Sequence, residues 1–343
     1  MKKKILATIA LALSAMTLTA CGANSKPSFA PNWQSNSLSK EFKQSTETLV
    51  YNVSFTASNF LQADYFSVNY CTDGEASNTY TTTLECLEDG TYKYSTDLSV
   101  NVTYTMAGNP SQTATFADSV KTEVVFHQVG KYMQPVYSKK TAHCYSPTKA
   151  AATELKYTHT EYNYEFLIEY NADMTEGTLT RKDFSENPRT LLSVQRYPDG
   201  VATNNFEIDQ KKLLCLDNEQ LLFALRGLSN KEIATSQSFN VYNASMLTME
   251  KVTTTPSDAA KTNFNLSING AEAKDYQISY TPLTMKINGR NATLSQELWY
   301  AQTTSATIND YRNVLLKMVT PMHSNIGSLT YVLHSATFSQ PIA

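Results

Sequence analysis

The sequence predicts a mainly β protein, α+β with few helices, built on a large antiparallel sheet. That sheet is expected to curve into a half-barrel closed by one or two packing helices. Three observations predict it. Long runs alternate apolar and polar residues, compact turn signals separate those runs, and only one interior segment has helical spacing. Period-two alternation puts successive side chains on opposite faces of a strand, one dry and one wet, which is the habit of antiparallel sheets. Parallel-sheet enzymes read instead as continuous apolar strands alternating with helices, a pattern this chain lacks.

The chain opens with Met1-Lys2-Lys3-Lys4, continues through 14 apolar or small residues from Ile5 to Leu18, and closes the segment with Leu18-Thr19-Ala20-Cys21. A basic start and a short apolar run form a secretory signal, too short for a membrane span of about 20 apolar residues. The final tetrapeptide resembles the lipobox of bacterial lipoproteins, a likeness confined to residues 1–22. It implies removal of residues 1–20 and a diacylglyceryl thioether on Cys21. Two acyl chains meet the requirement for stable anchoring, each buried CH₂ contributing about 0.8 kcal/mol. The expected location is the extracytoplasmic face of a cell membrane, and Gly22 leaves outer-membrane sorting open.

Residues 21–36 are polar, carry Pro27 and Pro31, and read as a flexible tether spanning roughly 20 Å. Residues 37–343 are expected to form the β-rich extracytoplasmic domain, with a short helix from Ser37 to Thr46. From Thr48 the period is two. In Thr91–Met106 the even positions are Tyr92, Tyr94, Thr96, Leu98, Val100, Val102, Tyr104 and Met106, and the odd positions are polar. A straight strand of that length would reach roughly 50 Å, so a bend or bulge is expected within it. Tyr162–Tyr170, Phe264–Ile268 and Tyr276–Tyr280 repeat the pattern. Glu88-Asp89-Gly90, Gly108-Asn109-Pro110, Pro198-Asp199-Gly200, Asn269-Gly270 and Asn288-Gly289 supply turns, the last read as a two-residue hairpin.

Leu214, Leu221, Leu222, Leu225 and Leu228 are spaced by mixtures of three and four. They predict a helix of about eleven residues over 217–228, capped by Asp217 with Gln220 at the capping-box position and Arg226 near its end. This helix would divide the sheet-rich chain into two modules, 48–210 and 235–343.

Removing residues 1–20 takes three of the 28 basic residues and none of the 31 acidic ones, leaving net −6. Mild acidity without a basic cluster argues against nucleic acid and against electrostatic adhesion to anionic lipid. Cys71, Cys86, Cys144 and Cys215 remain, an even number that permits two disulfides in an exported chain. Cys71 with Cys86, flanking a predicted hairpin, is the preferred pairing and leaves Cys144 with Cys215. Their spacing fits no zinc site, and no metal or cofactor is expected.

No catalytic constellation stands out. Ser37-Leu38-Ser39-Lys40 matches Ser-x-x-Lys but lacks the companion motifs of penicillin-binding enzymes. Glu161, Glu165 and Glu169 share a strand face and read as solvated. His127, His143, His159, His323 and His334 are scattered. The 21 tyrosines and 14 phenylalanines fall mostly on inward strand positions, where a wide sheet would either pack a core or hold an apolar ligand. The sequence therefore points to a non-enzymatic, membrane-anchored protein that binds an apolar ligand or an envelope component. The competing reading is a structural or adhesive surface protein without a pocket, and a hydrolase stands third.

Overall fold

A computed structural model of the chain describes residues 27–34, 46–57, 66–71, 77–106, 109–147, 159–185, 200–209, 214–287, 295–302, 313–322 and 327–339. Cys21, the signal segment, the Ser-x-x-Lys match at Ser37–Lys40, Pro198-Asp199, Asn288-Gly289 and His323 lie outside them. Nine strands come first: β1 (Thr46–Ala57), β2 (Phe66–Tyr70), β3 (Thr79–Cys86), β4 (Tyr92–Met106), β5 (Asn109–Val129), β6 (Tyr132–Pro147), β7 (His159–Tyr170), β8 (Glu176–Asp183) and β9 (Val201–Glu207). β10 (Cys215–Asp217) leads into two one-turn helices, α1 (Leu221–Ala224) and α2 (Asn230–Ile233). β11 (Gln237–Asn243), β12 (Thr248–Pro256), β13 (Ala260–Ile268), β14 (Ala271–Ile287), β15 (Gln296–Ala301), β16 (Leu315–Pro321) and β17 (Gly327–Ser339) complete the chain.

All 17 strands among the described residues belong to one sheet, and the protein is a mainly β barrel with few helices. β9 to β4 form consecutive antiparallel ladders in reverse chain order, and β3 and β2 share the far edge of β4. β1 lies between β3 and β17, so the two halves of the chain join in one sheet. The ladder then continues through β16 and β15 to β14, whose far edge is shared by β13 and β12. Parallel pairs Ser267↔Ser335 and Ile268↔Ala336 join β13 to β17 and close the ring β13–β14–β15–β16–β17.

β4 follows its alternation closely. Tyr94, Val100, Val102, Tyr104 and Met106 are buried, while the odd positions between them are partly open to solvent. Its register shift falls at Thr105/Met106, at the end of the strand, because an unbroken ladder with β5 carries it that far. Asn269 and Gly270 both have positive φ, 49° and 83°, and form the tight β13–β14 turn their sequence predicts. The β14–β15 pairs Leu283↔Leu298 and Met285↔Gln296 are centred past Asn288-Gly289, so their register is not that of a two-residue hairpin at those positions.

The helix over 217–228 is also corrected. β10 takes Cys215–Asp217, α1 is a single turn, and a 3₁₀ turn at Leu225–Gly227 ends with Leu228 extended. A Cβ on Gly227 would sit 2.9 Å from Ala30 O, so the N-terminal segment crosses the chain there. The capping box lies one element later. Glu232 N–H donates to Ser229 Oγ at 3.3 Å, and Ser229 N–H donates to Glu232 Oε2 at 2.8 Å. Asp217 does not cap α1, which starts at Leu221, and Gln220 is fully buried without a side-chain cap bond.

Residues 27–34 are packed, which corrects the tether over that part of 21–36. Phe29 and Trp33 are fully buried, and Pro31–Gln34 forms a 3₁₀ turn. The Trp33 ring meets Tyr92 and Phe223 edge-on, each at 5.1 Å, and Tyr94 stacks on Phe223 at 4.9 Å. Phe29 meets Phe239 edge-on at 5.3 Å. Two large rings in an otherwise polar stretch fill the end of the barrel that the short helices leave open. Burying such rings contributes about 1.5–3 kcal/mol each, which offsets part of the entropy lost in ordering the segment.

Candidate functional site

Three places gather chemistry-bearing side chains: the interior, the outer wall of β3–β8, and the end of the barrel at the β5–β6 turn. The interior holds a buried ion pair. Arg226 Nη1 and Nη2 donate to Glu47 Oε1 and Oε2 at 2.5 and 3.0 Å, joining the 3₁₀ turn after α1 to β1. Arg226 also lies over the Phe223 ring at 5.5 Å. Asn313 Nδ2 donates to the carbonyls of Arg226 and Leu228, both at 2.9 Å, and fixes the backbone of that turn.

A second interior seam ties β10 to β6 and β7 through side chains. Asp217 Oδ2 accepts from Ser138 Oγ and Tyr170 Oη, both at 2.5 Å, and Oδ1 accepts from Glu219 N–H at 2.7 Å. Burial and the nearby Glu219 charge push the Asp217 carboxyl up to about 6. Lys140 reaches Glu219 at 3.5 Å along the same seam. Asp118, also inside, is raised to about 6 by burial while accepting from Tyr145 N–H at 3.0 Å. Sequence reasoning missed Glu47 and Asp118, and it assigned Asp217 and Arg226 to a helix terminus. Each is one acidic or basic residue whose partner lies far along the chain.

The disulfide pairings are corrected too; all four side chains are thiols. Cys71 N–H donates to Asn101 O, whereas Cys86 pairs with Tyr92 nine positions along β4. That separates them by roughly 30 Å along the strand, against the ~7 Å between Cα atoms that a bridge tolerates. Cys144 lies six residues along β6 from Ser138, the contact of Asp217, so Cys215 is roughly 20 Å away. Burial raises Cys71 to about 11 and both Cys144 and Cys215 to about 12, which makes them poor nucleophiles.

The outer wall is a ladder of cross-strand ion pairs: Lys93 with Glu85, Lys121 with Asp97 at 2.8 Å, and Glu165 between Lys139 at 2.8 Å and Lys182 at 3.0 Å. Glu169 is exposed, as a solvated face predicts, whereas Glu165 is largely covered between its two lysines. Exposed pairs such as Lys121 with Asp97 contribute about 0–1 kcal/mol each. His143 Nε2 lies 2.7 Å from Glu161 Oε1 and 2.8 Å from Tyr145 Oη. This triplet sits on the outer wall, partly open to solvent. His127 and His334 are exposed elsewhere. Between the pairs runs a groove of about 360 Å³ lined by Thr81, Thr83, Ser95, Asp97, Lys121, Glu123, Lys139 and Thr141. Among the described residues no three His, Cys, Asp or Glu side chains converge as metal ligands. No helix there is long and apolar enough to cross a membrane.

Two further cavities are smaller. One of about 190 Å³ lies inside, between Tyr80, Thr96 and Thr122 of the sheet and Leu221 and Leu222 of α1. Another, of about 290 Å³, opens at the β5–β6 end and is lined by Val129, Tyr132, Met133, Met174, Leu214 and Cys215, with Gln134 and Asp173 at its rim.

No family model matches the chain, and no curated protein does. Among solved structures it is similar to a β-barrel-like protein of a domain of unknown function, DUF1849, from Brucella abortus. The TM-score is 0.47 at 8% identity, over 87% of this chain and all of that one.

Proposed function

We propose that this chain is a bacterial lipoprotein, held by acyl chains on Cys21, whose non-enzymatic barrel engages a polar envelope component on its outer wall. The supporting observation is the dense packing of the interior among the described residues. Trp33, Tyr51, Tyr300, Phe126 and Phe223 are all fully buried, and one cavity beside α1 is about 190 Å³. Pockets for small ligands occupy about 300–1,000 Å³ and are mostly apolar. Over an apolar ligand held inside, an inner cavity below that range favours recognition at the surface. There the largest of these cavities is the hydroxyl- and charge-lined groove of β3–β6, suited to a polar polymer rather than an acyl chain. The structural or adhesive alternative shares the filled core and differs in having no groove ligand.

Sedimentation of the full, detergent-extracted protein with isolated cell-wall sacculi tests this reading. Wild type is expected in the pellet. Thr83→Arg, which fills the groove from an outward strand position, should reduce pelleting about ten-fold, the loss of about 1.4 kcal/mol of binding. Wild type left in the supernatant would overturn the groove assignment.

A further inference from the structure

We propose that the β5–β6 end of the barrel is seated on the membrane that holds Cys21, with Val129 and Tyr132 in the boundary between headgroups and acyl chains. This rests on the lipoprotein reading and adds an orientation to it. Chain length limits how far the barrel can stand from its anchor. Cys21 is six residues before Pro27, a reach of at most about 22 Å. The segment that follows is fastened to this one end of the barrel. Ser28 N–H donates to Glu232 Oε1 of α2 at 2.8 Å, and Gln128 Nε2 donates to Phe29 O at 3.1 Å. Wherever the acyl chains enter the bilayer, the β5–β6 turn is held close by.

That turn is also the part of the end that protrudes. The β4–β5 ladder stops at Tyr92↔Phe126, while β5 and β6 stay paired out to Val129↔Tyr132. Gly130, four residues beyond Phe126, stands about 13 Å past the last β4 partner. The tip is stiffened from behind, since the two protons of Gln128 Nε2 are shared among Phe29 O, Gly130 O at 3.0 Å and Tyr132 O at 3.2 Å. Val129 is 51% exposed and Tyr132 44%, an apolar pair presented to solvent on a fixed turn. Tyrosine suits the level of the headgroups, its ring in the apolar zone and its hydroxyl in the wet one. Behind the tip, Met133, Met174 and Leu214 line the 290 Å³ opening and extend the apolar surface inward.

Charge decides which lipid. Lys131 is at the tip, but Glu88 and Asp89 occupy the neighbouring β3–β4 turn and Asp173 the β7–β8 turn. Basic attraction to anionic headgroups is therefore cancelled, and the contact is apolar insertion into zwitterionic lipid, as for interfacial segments buried about 5–10 Å deep.

The test uses the full acylated protein, its mass at Cys21 checked first, in phosphatidylcholine–phosphatidylethanolamine vesicles with and without brominated acyl chains. Tyr132→Trp reports on the proposed face. Phe184→Trp reports on the far end of β8, eight residues from Glu176 and 57% exposed. Signal from the native Trp33 and Trp299 is subtracted using wild type. Bromination should quench the emission of the residue at 132 about two-fold, the depth sensitivity expected of an interfacial ring, and leave the residue at 184 unchanged. Val129→Trp repeats the reading should Tyr132→Trp fail to fold. An acylated protein whose tip is unquenched, or quenched less than position 184, overturns the seating and leaves the anchor standing. A bare thiol at Cys21 removes the anchor itself and the seating with it.

Discussion

Replacing Arg226 by alanine is expected to destabilise the protein by about 3–5 kcal/mol, because it strands the Glu47 carboxylate in the core. Both partners are almost completely buried, and their two hydrogen bonds link positions 179 residues apart. The pair itself is a poor source of net stability, since taking two charges out of water costs about as much as their attraction returns. The double change Glu47→Leu with Arg226→Met should therefore recover most of what the single change loses. Urea unfolding of the two single variants and the double variant forms the cycle. Equal and additive losses in both singles would show that the two side chains act independently. A single variant within about 1 kcal/mol of wild type would show that the site rehydrates.

Trp33→Ala should cost about 3–5 kcal/mol, the range for emptying a large aromatic site in a packed core. Trp33 touches Tyr92 and Phe223, and Phe223 in turn packs on Tyr94 and Phe126. Loss of the indole thus opens space at the junction of β4, β5 and α1. A tether would tolerate the substitution with no change in the unfolding midpoint, so the midpoint discriminates between a plug and a leash. Proteolysis gives a second reading. Cleavage within 27–34 should be slow in the folded wild type and fast in the variant, in step with global opening.

The strands were readable because alternation is a local signal with one buried and one wet face. Tyr94, Val102, Tyr104 and Met106 behave as their spacing predicts, and Asn269-Gly270 turns where positive φ is cheap. The leucine-rich segment misled for the opposite reason. Leu214, Leu216, Leu221, Phe223, Ala224, Leu225 and Leu228 are all buried, so no polar face exists to set a period. The N-terminal stretch misled by composition, since two rings among polar residues weigh little in an average and decide the packing. Ring closure rests on two parallel pairs at Ser267 and Ile268, and the Glu47–Arg226 pair bridges the two halves of the chain. Neither leaves any mark in local sequence. Of the surface groove, only the polar alternation was legible, because cross-strand register decides which lysine meets which carboxylate.

Native mass spectrometry of protein extracted from cell membranes tests most directly the claim that a filled barrel hangs from an acylated cysteine. The account predicts a chain that starts at Cys21, carries covalent diacylglycerol, and sheds every other lipid on mild activation. A chain that keeps residues 1–20, bears an unmodified thiol, or retains one tightly held lipid per barrel would contradict it.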